Sequence, residues 1–204
     1  MPWPVAVAAA YLLGAVPTSY IAGRLAKGID LREHGSKNLG ATNVYRLLGW
    51  GWAIPVGLID VLKGVVPVAL IAPLSAGPAW LPVVCGVAAV LGHVFSPYVR
   101  FKGGKGVATA AGMFLALAPL AVLCAFPVWA LVVWLSGYVS LGSVVTAALF
   151  PVWVRLTRPD APFTLYAAVA LAALIVVSHR ANLRRLVAGT EHRFGRRAAG
   201  AGSH

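Results

Sequence analysis

The apolar run from Val107 to Thr157 constrains this chain more than any other feature. Its roughly 50 residues would make one helix about 75 Å long, against a bilayer hydrocarbon core of about 30 Å. One crossing cannot absorb that length, so the run folds back on itself once or twice. Further apolar runs lie at 3–23, 52–74, 79–99 and 163–178. Lipid offers the backbone no hydrogen bonds, which makes all of these segments helical. No internal repeat or long linker divides the chain. A single domain over 1–204 is expected, with 194–204 as a flexible tail.

Cations decide how often the long run crosses. Arg24, Lys27, Arg32 and Lys37 follow the first apolar run, and Arg100, Lys102 and Lys105 precede Val107. The tail carries Arg180, Arg184, Arg185, Arg193, Arg196 and Arg197. Lys/Arg-rich flanks stay on the cytoplasmic side, and three crossings within 107–157 keep the tail beside the 100–105 loop. Breaks are expected near "LAPLA" (117–121) outside and "GYVSLGS" (137–143) inside. The predicted fold is an all-α integral membrane protein with seven transmembrane helices, some of them short. Its N-terminus is outside; its C-terminus and polar loops are cytoplasmic. The opening "MPWPVAVAAAYLLGAV" has no cation ahead of its apolar run, so it reads as an uncleaved first span rather than a secretory signal.

Composition narrows the partners. Lys plus Arg number 17 against 5 acids, a net charge of +12. Such a balance suits nucleic acid, anionic lipid or a small anionic substrate. The cations are interleaved with long apolar runs instead of gathered on a soluble basic module, which argues against nucleic acid. Cys85 and Cys124 lie in apolar runs without CxxC spacing, so no disulfide framework or zinc site is expected. Glu33–His34 and Glu191–His192 are neighbours in sequence and cannot share a helical face, so no metal is expected either.

Three polar segments carry chemistry. In "RFKGGKGVAT" (100–109), glycines able to take φ > 0 let backbone amides converge into an anion-binding nest, and the helix that follows adds its positive N-terminus. Lys105 adds a full charge. The plainer alternative is a loop whose lysines fix orientation and whose glycines turn the chain. Walker A spacing is absent, so ATP has no support here and no cofactor is expected. In "HGSKNLGATNVYRLLG" (34–49), Ser36, Asn38, Thr42 and Asn43 offer neutral donors. Thr42 or Asn43 is placed to cap a short helix running through Leu48 and ended by Gly49. On that helix the planar fork of Arg46 can grip an anion with two hydrogen bonds. In "SHRANLRRLVAGTEHRF" (178–194), His179 and Asn182 share a helical face.

Taken together, "GSKNLGATNVYR", "GHVFSPYVRFKGGKGVAT" and "HRANLRRLVAGTE" resemble, in order and content, the PlsY family of bacterial membrane glycerol-3-phosphate acyltransferases. The resemblance covers nearly the whole chain. It implies transfer of a fatty acyl group from acyl phosphate to the 1-hydroxyl of sn-glycerol 3-phosphate, at a site facing the cytoplasm from the bacterial inner membrane. Membrane lipids and the soluble enzyme that makes acyl phosphate are the implied partners. Ser36, Asn38, Asn43, Arg46, Gly103, Gly104, Gly106 and Asn182 would bind substrate, with Lys105, Ser143 and His179 closest to the chemistry. Lys37 stands where the family has a small Gly and Leu39 where Pro is common, departures that touch loop shape and not the polar residues.

Two phosphates must then sit side by side. The glycine loop with Lys105 suits one, and Arg46 with Asn182 and Ser143 the other, in either assignment. Phosphate leaves readily once neutralised, so direct attack needs no acyl-enzyme. The hydroxyl proton goes to His179 or to the substrate's own phosphate. The His-x-x-x-x-Asp mechanism is excluded, because Leu39, Tyr98, Arg184 and Arg197 stand five residues after the four histidines that could start it. A transporter of a phosphate-bearing solute is the alternative; it would show polar groups near the midplane and a repeat between halves. Only Asp60 and Lys63 answer that description, and their spacing predicts that they pair with each other. A non-catalytic scaffold on anionic headgroups is the third reading.

Overall fold

The computed structural model describes residues 1–194; residues 195–204, with Arg196, Arg197 and all but the first residue of the expected flexible tail, lie outside the described residues. Ten α-helices follow in order: α1 (Trp3–Ala15), α2 (Thr18–Lys27), α3 (Ala41–Leu48), α4 (Trp50–Val66), α5 (Leu81–Val94), α6 (Val107–Leu117), α7 (Pro119–Ser136), α8 (Val139–Thr157), α9 (Pro162–Ser178) and α10 (Arg180–Val187). The described residues contain no strand.

The long apolar run is α6, α7 and α8, broken where the sequence supplies breakers. Pro119 opens α7 at a position where a missing N–H costs nothing. Gly137 ends α7 in the left-handed conformation, φ +76°, which lets the chain reverse into α8. By length and composition, five helical stretches among the described residues can cross a membrane: Trp3–Lys27, Trp50–Leu74, Leu81–Val99, Pro119–Ser136 and Val139–Thr157. The α9–α10 pair, bent by 54°, makes a sixth if it counts as one span. Helix α6 is apolar but only 11 residues long. At about 16 Å it covers roughly half a bilayer core.

Lipid is as apolar as leucine, so helices associate here by close packing, not by hiding large side chains. α1 packs on α5, α4 on α6, α7 on α8 and α8 on α9. At the α4–α6 crossing a methyl group added to Gly112 would lie 1.9 Å from the Val61 carbonyl oxygen. Leu120, Leu123 and Phe126 point outward, while Ala121 and Ala125 face inward.

A buried charge pair stabilises the first bend. Asp60 and Lys63 meet at 2.7 Å on α4, as their spacing predicts. Thr18 donates to Asp60 at 2.6 Å, and Lys63 donates to the Val16 carbonyl at 2.9 Å. That carbonyl lies in the break between α1 and α2 and also accepts Thr18 N–H at 3.0 Å. The cap of α3 differs from expectation. Helix α3 starts after Gly40, with no side-chain cap, while Gly49 ends it as predicted. Asn43 instead turns inward to the preceding loop.

Candidate functional site

One cavity of about 610 Å³ collects the polar segments that the sequence scatters over 150 residues or so. Ser36, Asn38, Asn43, Arg46, Lys105, Gly106, Ser143, His179 and Asn182 all line it. Opposite this polar end its wall is apolar, built from α6, α7, α8 and α9.

The glycine loop reaches the cavity differently from the nest expected. Gly103 N–H donates to the Val94 carbonyl at 3.0 Å and Gly104 N–H to the His93 carbonyl at 3.1 Å. These are last-turn carbonyls of α5, which lack intrahelical donors. The loop therefore caps α5, and neither glycine lines the main cavity. A Cβ on Gly104 would sit 2.1 Å from His93 Nε2 and 2.3 Å from the Leu39 carbonyl, so close approach demands the glycine. Gly106, φ +82°, turns the chain into α6. The first ladder bond of α6 runs from Ala110 N–H to the Gly106 carbonyl at 2.8 Å. The amides of Val107, Ala108 and Thr109 have no intrahelical acceptor, so the anion-seeking end is the helix N-terminus.

Lys105 projects from that turn and donates to Asn182 Oδ1. Asn182 Nδ2 donates in turn to Glu191 at 2.6 Å, and Ser140 Oγ and Arg185 Nε reach the same carboxylate at 2.9 and 2.7 Å. Burial pushes the Glu191 carboxyl up, but hydrogen bonds from Asn182, Ser140 and Arg185 outweigh it and hold it below its ordinary value. Burial also lowers the Lys105 ammonium to about 8, helped by Arg185 and Arg46 and opposed by Glu191. Glu191 is the residue that sequence reasoning missed. Its signal was available: a lone acid in a stretch dense with arginine.

His179, 3% exposed, sits at the α9–α10 bend. Its Nδ1 lies 2.8 Å from the Ile175 carbonyl. A carbonyl only accepts, so the proton resides on Nδ1 and the Nε2 lone pair is left over. Ser143 Oγ donates to the Val139 carbonyl at 2.9 Å and receives Trp129 Nε1 at 3.4 Å. Asn43 spends its amide on the backbone: Oδ1 takes Ser36 N–H at 2.9 Å, and Nδ2 faces the carbonyls of Leu31, His34 and Asn38. That geometry makes it the clamp of the 31–43 loop, and so the support that holds Ser36 and Asn38 at the cavity.

Residues 189–194 form a strap across the polar end. Arg46 Nη2 donates to the His192 carbonyl at 3.3 Å. Arg193 lies over the Tyr138 ring at 5.3 Å. Phe194 N–H donates to the Gly137 carbonyl at 2.7 Å, and its ring meets Tyr45 at 5.1 Å and Trp50 at 5.9 Å. Phe194 is thus held in place where the sequence suggested the start of a free tail. Among the described residues no cluster of His, Cys, Asp and Glu could hold a metal ion.

A multi-helix bundle whose apolar cavity ends in arginine, lysine and an open helix N-terminus defines a class: membrane proteins that handle an amphiphile with an anionic head. Comparison with known proteins places it further. Residues 4–189 match the family described as Glycerol-3-phosphate acyltransferase, and the chain belongs to that family. It is 50% identical over 191 residues to a glycerol-3-phosphate acyltransferase of Trichlorobacter lovleyi, spanning 92% of this chain and 95% of that one. It is 45% identical over 196 residues to glycerol-3-phosphate acyltransferase 2 of Moorella thermoacetica, spanning 96% and 100%. The crystal structure of the integral membrane acyltransferase PlsY (YgiH) in its glycerol 3-phosphate form superposes with a TM-score of 0.88 at 38% identity, over 95% of this chain and 96% of that one. The lysphosphatidic acid form gives 0.85 at 37% identity, over 95% of each.

Proposed function

We propose that this chain transfers a fatty acyl group from acyl phosphate to the 1-hydroxyl of sn-glycerol 3-phosphate, giving 1-acyl-sn-glycerol 3-phosphate and inorganic phosphate. The observation that carries this is the two-ended cavity: Arg46, Lys105, Asn182 and the α6 N-terminus at one end, an apolar bore at the other. Both substrates carry phosphate, and one carries a hydrocarbon chain.

The glycerol C1 oxygen attacks the acyl carbonyl carbon, a new C–O bond forms, and the acyl–phosphate C–O bond breaks with phosphate leaving. The cations and helix end stabilise charge on the departing phosphate, so no covalent enzyme intermediate is needed. The hydroxyl proton has two acceptors in reach of such a pose, a phosphate oxygen and the Nε2 lone pair of His179. Ser143 and Asn182 orient the substrates, and Glu191 fixes Asn182.

The seven-span topology is part of the same reading. It counts the five long stretches, α9 and the short α6. It puts the segments bearing Ser36, Lys105, Ser143 and Asn182 at one end of the bundle, and that end faces the cytoplasm of a bacterial inner membrane. Acyl phosphate is delivered there by the soluble enzyme that makes it. Purified protein in detergent, given glycerol 3-phosphate with acyl phosphate or with acyl-CoA, tests the function. Product is expected from acyl phosphate; turnover with acyl-CoA alone would overturn the donor.

A further inference from the structure

Below the polar end, the cavity wall changes character in two steps. Counting helical rise from Val107 and from Ser143, Ala110, Ala111 and Ala147 lie about 4–6 Å down. Ala125 on α7 occupies the same level, one turn from Trp129, which contacts Ser143. The middle of the bore is therefore lined by methyl groups. Phe114 and Phe150 both come about 10 Å down, each seven residues past its reference point. Their rings pack at 4.6 Å between centroids, inclined by 51°. The next layer, Ala118, Ala121 and Val154, is 1%, 0% and 0% exposed and belongs to the packed core instead of the cavity wall. The bore has a floor, and the floor is aromatic.

We infer that the Phe114–Phe150 pair is the chain-length gauge of this enzyme, setting how many methylene groups of the acyl donor descend between α6, α8 and α9. The inference rests on the acyl-transfer reading above. A chain held at its carbonyl by the polar end must stop or bend when it meets two rings packed against each other. Each methylene that gains or loses a buried place changes selectivity about fourfold. The competing route leads sideways past the exposed Leu115 and Phe126 into lipid; a chain taking it would be indifferent to the floor.

The experiment compares octanoyl, lauroyl, palmitoyl and stearoyl phosphate as donors, with glycerol 3-phosphate as acceptor, in wild type, Phe150→Ala and Ala147→Leu. Phe150→Ala lowers the floor and is expected to raise kcat/KM for longer donors relative to shorter ones, by tenfold or more. Ala147→Leu fills the bore higher up and should shift preference toward shorter donors. The KM for glycerol 3-phosphate should stay at the wild-type value in both. Phe150→Leu, a smaller truncation, takes over if Phe150→Ala does not fold. An unchanged length profile, or equal loss at every length, would overturn the gauge. No product from wild type at any length would instead sink the acyl-transfer reading itself.

Discussion

Lys105 is the one cation of its loop that enters the cavity, since Arg100 and Lys102 are exposed. Its lowered value, about 8, carries a pH signature. Below that value the ammonium is charged and holds phosphate; above it the proton is lost and one attraction disappears. The KM for glycerol 3-phosphate is therefore expected to rise as pH increases from about 7 to 9, by roughly tenfold, a typical charge-assisted contact. Bound phosphate restores the proton, so kcat should move less. Lys105→Arg stays charged throughout, and steady-state kinetics should show its KM flat over the same window. A flat wild-type profile would mean that Lys105 does not meet the phosphate of glycerol 3-phosphate.

Helices α4 and α6 are fitted at a glycine contact that leaves no room for a methyl group. Gly112→Ala should push α6 off α4 and lower stability by about 1–3 kcal/mol, the usual range for overpacking. Gly51→Ala, with nothing within 4 Å of its added methyl, should be silent. Thermal unfolding in detergent compares the two, and equal midpoints would refute the close-contact argument. At this scale much was legible beforehand. Pro119 and Gly137 announce both breaks in the long run, because proline and glycine act through local backbone geometry. The pairing of Asp60 with Lys63 is equally local. The roles of Gly103 and Gly104 were not legible, because the carbonyls they satisfy belong to His93 and Val94 on another helix. The capping expectation for Thr42 or Asn43 misses the clamp for the same reason: nothing in α3 reveals four backbone partners of Asn43 in the loop before it. Glu191 escaped because its importance comes from Ser140 and Asn182, which only the fold brings to it.

Across the described residues the polar segments converge at one end, which the proposed seven-span topology puts on the cytoplasmic side. With Cys85 and Cys124 replaced by serine, single cysteines at Lys102, Asp160 and Val187 test the assignment. A membrane-impermeant thiol reagent added to intact cells should label Asp160→Cys, in the α8–α9 connection, and spare the other two. Labelling at Val187→Cys would break the seven-span reading. The strap adds something that belongs to biosynthesis. Helices enter the membrane in the order they are translated. Among the described residues, the five stretches long enough to cross a membrane all precede Glu191 and Phe194 in the chain. A chain that ends at Val187 keeps all five of those stretches and α9, yet lacks Glu191 and Phe194 and so has no finished head-group pocket. The amount of this protein in a membrane and the activity of that membrane are therefore separate quantities, and an immunoblot cannot stand in for an assay.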